Sequence, residues 1–285
     1  MMWKGINMKK TVRNTIIFCT VTLASGWIGV LVDKVLTQQP EGETLGMGLW
    51  LVLPLLTALL LRAFSRDWKD AGLRLNIKRN KKWYLAAVLI YPAVMVITLG
   101  LAALFGTVDF SQFNIQAFVP LATVSMLGNL IRNVFEEFAW RGYLTPKLIS
   151  MKLNDWMIYL IVGIIWALWH AAYYMVFLPD AYFTSISRLG MVVTGCIVML
   201  AWTVMFVEIF RLTKSIWPCV LMHAIEDAFP TVLLMTGGFV TISSKADFWL
   251  NPITGVVAVV LFLAIGLALR AIRRLKEKEL LPCGS

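Results

Sequence analysis

Two adjacent glutamates, Glu136 and Glu137, lie within an otherwise apolar stretch of the sequence, RNVFEEFAWRG. Arg132 stands four residues before the first glutamate, and Arg141 stands four residues after the second. In a helix, residues four apart are neighbours, so each acid has an arginine within reach. A carboxylate in a watered pocket can act as a general base. A row of polar residues that only holds neighbouring helices together explains two adjacent acids poorly, because the two acids cannot both face one partner.

The only two histidines in the chain also lie in apolar stretches, WALWHAAYY and LMHAIEDAF. At helical spacing His170 shares a face with Trp166, and His223 shares a face with Asp227. Charge in hydrocarbon is costly and is kept mainly where it lines a cavity or carries function. Two acids and two histidines on three apolar stretches therefore indicate a functional cavity rather than a structural seam.

The elements that carry these residues are predicted to be membrane-spanning helices. The chain has 285 residues, of which 59% are hydrophobic and 15% charged, whereas soluble domains carry about a quarter charged residues. Its mean hydropathy is +0.77. Stretches near the roughly 20 residues that a bilayer requires occur at about 14–35, 44–64, 83–106, 117–141, 155–178, 188–211, 215–235 and 252–271. We expect an all-α polytopic membrane protein, with residues 1–285 forming a single integral-membrane domain and a catalytic core at about 83–235.

The distribution of basic residues predicts the orientation of the helices. All but four of the 26 Lys and Arg residues fall on one side of the predicted membrane. Lys34, Arg188 and Lys245 fall on the other side, and Arg132 lies within a span. Because cytoplasmic loops carry the excess of positive charge, we expect both termini to be cytoplasmic. The net charge of +10 then reflects topology and contact with anionic lipid, in the plasma membrane, rather than nucleic-acid binding.

Several kinds of site lack their characteristic motifs. The four cysteines show no CxxC spacing, so neither a disulfide framework nor a zinc knuckle is indicated. No HExxH helix motif of a metalloprotease is present. The sequence also lacks the GxSG loop of rhomboid-like serine proteases and the GxGD of presenilin-like aspartyl proteases.

The remaining motifs occur in a fixed order along the chain. EEFAWR reads as EExxxR, WALWH stands where FxxxH is expected, and HAIED reads as HxxxD/N. In order, spacing and placement on the fourth, fifth and seventh spans, this set resembles the CPBP family. That family comprises CAAX proteases and bacteriocin-processing enzymes, also called Abi proteins.

The resemblance implies an intramembrane glutamate protease with a role for each motif residue. Glu136 would be the general base that activates water with the help of His170, and Arg141 would orient the acid pair, chiefly through Glu137. His223 and Asp227 would stabilise the oxyanion. Arg132 and Trp166 are expected to support the site, and Trp166 replaces the usual Phe of the family. The implied substrate is a membrane-associated peptide or a lipidated protein, and no metal or cofactor is implied.

Three other functions remain open on the sequence. A zinc enzyme would use Glu136, His170 and His223 as two histidines and one carboxylate. A proton-coupled transporter or channel would use Arg132, Glu136 and the histidines as a relay. A non-catalytic scaffold or immunity protein would keep the family's fold without its activity.

The predicted span boundaries leave one geometric difficulty. Glu136 falls near the cytoplasmic end of the fourth span, whereas His170 lies roughly 22 Å into the fifth. The two residues meet only if the fourth helix continues past Arg141 towards Lys147, or if LISMKLND dips into the interface before the fifth span. We expect one of these two arrangements.

Overall fold

In the computed structural model the chain is almost entirely helical. The structure describes residues 8–40, 43–183 and 186–279; Lys4 and Cys283, which enter the charge and cysteine counts, lie outside them. The helices are α1 Met8–Val35, α2 Leu45–Ser65, α3 Ile77–Leu104, α4 Ile115–Ala139, α5 Thr145–Ser150, α6 Asp155–Trp169, α7 Arg188–Thr213, α8 Trp217–Thr231, α9 Ser244–Leu250 and α10 Val256–Glu279. There are also three π-helical segments (Trp140–Leu144, Tyr173–Phe177 and Val232–Thr236), a 3-10 turn (Asp180–Phe183) and two strands (β1 Val108–Asp109 and β2 Thr241–Ile242).

Within the described residues, eight helices are long and apolar enough to cross a membrane. The predicted all-α class and the eight spans are therefore confirmed, and the protein is a multi-pass membrane protein. Several boundaries differ from the predicted ones. The first span begins at Met8 and the third at Ile77, and the last is Val256–Glu279. The largest error is in the fourth span, which was expected to end at 141 but continues through Ser150.

By packing, the chain divides into two compact units, and the first combines Met1–Gly72 with Phe135–Leu200. In it α1 and α2 approach so closely that a Cβ added to Gly29 would lie 2.2 Å from the carbonyl oxygen of Gly46. The backbone N–H of Gly46 donates to Asp33 at 2.8 Å. The hydroxyl of Ser25 donates to the carbonyl of Trp50 at 3.3 Å. Small residues at the contact thus allow polar bonds between two apolar helices.

The second unit combines Leu73–Val134 with Ala201–Ser285. In it α3 packs against α8, and the Asn80 side chain donates to the carbonyl of Thr213 at 3.0 Å. The strands β1 and β2 pair antiparallel, with Val108 opposite Ile242. The expectation of one membrane domain with a core at about 83–235 stays a prediction.

Candidate active site

The helix that carries the acid pair continues beyond the motif. After α4, the chain passes through the π-helical segment Trp140–Leu144 into α5, which ends at Ser150. A short turn then leads to α6, which begins at Asp155. Glu136 therefore lies about 21 Å before this turn, and His170 lies about 22 Å after it. The continuation of the fourth helix past Arg141, one of the two expected arrangements, is confirmed, and it brings these two residues to similar depth.

Glu137 and Arg141 form a buried ion pair, as their spacing predicts. The Arg141 Nη1 lies 2.8 Å from Glu137 Oε1, and both side chains are 0% exposed. The Arg141 guanidinium also lies over the Trp166 ring, with 4.4 Å between Cζ and the ring centroid. A buried charge that loses its partner is costly, so this pair holds the π-helical segment in a defined orientation.

Glu136 contacts α6 through Trp166. The indole Nε1 of Trp166 donates to Glu136 Oε2 at 3.3 Å, and both side chains are buried. The backbone carbonyl of the same tryptophan lies 2.9 Å from His170 Nδ1. A carbonyl oxygen can only accept, so Nδ1 carries the proton, and Nε2 is the acceptor of the neutral ring. Trp166 thus connects the acid with the first histidine.

Aromatic rings surround His170 within the first unit. The contacting rings are Trp50, Trp166, Trp169, Tyr173 and Tyr174, with centroid separations from 4.6 to 6.4 Å. Tyr174 stacks on the imidazole at 5.6 Å, whereas Trp169 meets it edge-on at 4.6 Å. These contacts fix the plane of the imidazole, because rotation of the ring would collide with its neighbours.

A second ionic cluster supports the π-helical segment from α2. Arg62 is fully buried, and its Nε donates to the carbonyl oxygen of Gly142 at 2.8 Å. Its Nη1 binds Asp70 at 2.7 Å. Lys147, on α5, binds Asp67 at 2.5 Å. Arg62 on α2 is thereby bonded to the π-helical segment, and Asp67, in the connection after α2, is bonded to α5, which follows that segment.

In the second unit, Asp227 is held by two side chains of α4. Arg132 Nη2 and Asn133 Nδ2 each lie 2.7 Å from Asp227 Oδ2. An arginine and an amide N–H₂ both donate, so Asp227 acts here as an ionised acceptor. His223 lies one turn away on α8, with its Nε2 3.9 Å from the same oxygen, and its ring meets Phe206 edge-on.

Three residues of α8 form a candidate metal-binding group. Donor atoms of His223, Glu226 and Asp227 lie within 4.8 Å of one another. A cation there would compete with the Arg132 guanidinium, which already neutralises the Asp227 carboxylate. This donor set therefore fits a metal poorly. The zinc alternative built on Glu136, His170 and His223 stays a prediction.

Sequence reasoning missed three contacts that shape the site. Asn133 on α4 donates to Asp227, 94 residues away, a contact that the sequence does not predict. Trp166 is expected to support the site, but its bond to Glu136 is not predicted, and neither is the bond from Arg62 to Gly142. A sequence signal exists for Arg62 alone, since an arginine followed by two aspartates after a span suggests a local ion cluster. In the described residues, each motif-bearing helix is also followed by a π-helical segment within the same span, a feature frequent at functional sites.

A comparison with known protein families favours one of the open functions. A sequence model described as "Type II CAAX prenyl endopeptidase Rce1-like" matches residues 118–229. Over these 112 of the 285 residues the chain is similar to the Rce1-like family. The matched residues include every motif residue from Glu136 to Asp227, and the family is one of membrane proteases. Among curated proteins, no relative was found.

Proposed function

We propose that the protein is an intramembrane endopeptidase in which Glu136 activates water for the hydrolysis of a peptide bond. The observation that carries the proposal is the environment of the Glu136 carboxylate. It is buried, it accepts from the indole N–H of Trp166, and it belongs to a motif set that lies wholly within the Rce1-like match. A buried acid held by a neutral donor on an apolar helix is rare unless it has a function.

In the first step, Glu136 takes a proton from water as the water oxygen attacks the scissile carbonyl carbon. His170 takes part by holding the water, because its neutral Nε2 accepts a hydrogen bond while Nδ1 donates to the Trp166 carbonyl. The proton on Glu136 then passes to the leaving amine as the carbon–nitrogen bond breaks. The base is thereby regenerated without a covalent intermediate.

The attack places negative charge on the former carbonyl oxygen, which requires a donor. In the proposal His223 supplies an N–H to this oxyanion. Asp227 positions His223 rather than donating itself, because it is an acceptor for Arg132 and Asn133. Arg132 therefore acts on the reaction through Asp227, and Arg141 acts through Glu137.

We propose a membrane-associated peptide or a lipidated protein as the substrate, cleaved near the cytoplasmic leaflet. The matching family is described as a CAAX prenyl endopeptidase, which supports a prenylated CAAX protein as one such substrate. The proposal includes the plasma membrane as location, with both termini cytoplasmic. Labelling of a cysteine introduced beside the N-terminus, in intact and in permeabilised cells, tests that orientation, and labelling in intact cells contradicts it.

The decisive experiment compares the wild-type protein with Glu136→Gln and His170→Ala in detergent. The substrates are a prenylated CAAX peptide and a library of leader peptides, each with and without a chelator. We expect Glu136→Gln to lose at least about a thousandfold in kcat, because both removal of the water proton and its return to the amine depend on this carboxylate. We expect a smaller loss, about tenfold to a hundredfold, for His170→Ala.

Glu43→Gln is the matched control, because it makes the same chemical change at an exposed acid and should leave cleavage unchanged. Cleavage that survives in Glu136→Gln contradicts the assignment of the base. Cleavage abolished by the chelator and restored by zinc favours the zinc alternative instead.

A further inference from the structure

Trp166 makes a contact that the phenylalanine usual at this motif position cannot make. Its indole Nε1 lies 3.3 Å from Glu136 Oε2, and the tryptophan is fully buried. A phenyl ring has no polar hydrogen, so only the indole can donate to the carboxylate. Hydrogen bonds to an ionised acceptor are stronger than neutral ones, and a buried setting strengthens them further.

The other parts of Trp166 contact the remaining motif residues of the first unit. The face of its indole lies 4.4 Å from the Arg141 guanidinium carbon, and its backbone carbonyl accepts from His170 Nδ1. The indole N–H of Trp166 therefore fixes Glu136, and the face of the indole holds Arg141. The backbone carbonyl of Trp166 determines which ring nitrogen of His170 carries the proton. Bulk packing alone accounts for the burial of the ring but not for an N–H directed at a carboxylate.

We propose that Trp166 is a positioning residue, which donates its indole N–H to Glu136 Oε2 and so fixes the rotation of the carboxylate. The inference rests on the proposed function of Glu136 as the base. With its rotation fixed, the carboxylate keeps one orientation towards the attacking water. A carboxylate that rotates freely would spend less time in this arrangement, and the turnover rate would fall while substrate binding persisted.

The test replaces Trp166 by phenylalanine, which keeps an aromatic face for Arg141 and removes only the donor and the second ring. We expect kcat on the cleaved peptide to fall about tenfold to a hundredfold, which corresponds to the loss of one hydrogen bond to a charged group. The KM should stay within about threefold of the wild-type value. Trp202→Phe is the matched control, because Trp202 is also a buried tryptophan but lies on α7, where its ring packs against Tyr91 and Phe262.

A spectroscopic measurement detects the hydrogen bond without relying on activity. In protein labelled with 15N-tryptophan, the indole N–H signal that Trp166→Phe removes is assigned to Trp166. We expect Glu136→Gln to shift this signal more than any other indole signal, since the amide replaces the charged acceptor. Where Trp166→Phe fails to fold, benzothienylalanine at this position keeps the shape of the ring and replaces its N–H by sulfur.

The outcomes separate the inference from the proposed function. A Trp166→Phe protein with kcat within threefold of wild type overturns the inference, and so does an indole signal that Glu136→Gln leaves in place. A loss of kcat in Trp202→Phe as large as that in Trp166→Phe also overturns it, because the effect is then general packing. Full activity of Glu136→Gln refutes the proposed function itself, and the indole signal still reports whether the bond exists.

Discussion

Removal of the Arg62 side chain is expected to destabilise the protein more than the loss of any exposed charge. Arg62 is 0% exposed and serves three acceptors, namely the carbonyls of Gly142 and Asp67 and the carboxylate of Asp70. Breaking a buried ion pair by removing one partner costs about 3–5 kcal/mol. Because the Asp70 side chain is 26% exposed, water relieves part of its penalty. We therefore expect the lower end of that range for Arg62→Ala.

The measurement is the free energy of unfolding in mixed detergent–SDS micelles, followed by circular dichroism. Arg62→Lys keeps the charge but cannot reach all three acceptors, so it should lose about 1–3 kcal/mol. A double-mutant cycle with Asp70→Ala should give a coupling energy of about 0.5–3 kcal/mol, since the two residues are in contact. Arg66→Ala is the control, because Arg66 is exposed and should change stability by less than about 0.5 kcal/mol.

The reasoning also predicts a loss of activity in folded Arg62→Ala protein. Gly142 follows Arg141 in the π-helical segment, so a carbonyl without its donor loosens the backbone that carries the arginine of the motif. An Arg62→Ala protein that unfolds at the wild-type SDS concentration would refute the account of this cluster. The same holds for a coupling energy indistinguishable from zero.

Two further predictions concern the second set of site residues and the packing of the first two helices. Asp227→Asn should keep activity within about tenfold, because the amide oxygen of asparagine still accepts from Arg132 and Asn133. Asp227→Ala should lose about a hundredfold. Equal kcat values for the two variants contradict the role of Asp227 in positioning His223. Gly29→Ala should cost about 1–3 kcal/mol in SDS unfolding, because its Cβ would meet a backbone carbonyl of α2 at 2.2 Å, while Gly48→Ala, with open space around it, should cost almost nothing.

The features that the sequence predicts correctly depend on local spacing. The eight spans follow from runs of apolar residues, and the Glu137–Arg141 pair follows from the helical repeat. The bond from Trp166 to Glu136 joins residues 30 positions apart, on different helices. Periodicity shows which face of a helix a residue occupies but not which helix lies opposite, so such contacts need the tertiary structure.

The buried ion pairs that stabilise the site also explain why the predicted end of the fourth span is wrong. Hydropathy places the end of the fourth span at Arg141, because the charges of Arg141 and Lys147 are typical of the membrane–water interface. Each of these cations is instead neutralised within the protein, Arg141 by Glu137 and Lys147 by Asp67. A paired charge costs far less to bury than a free one, so the helix continues to Ser150. The ion pairs that hide the true end of the helix therefore also allow Glu136 to lie about 21 Å from its end, at the depth of His170.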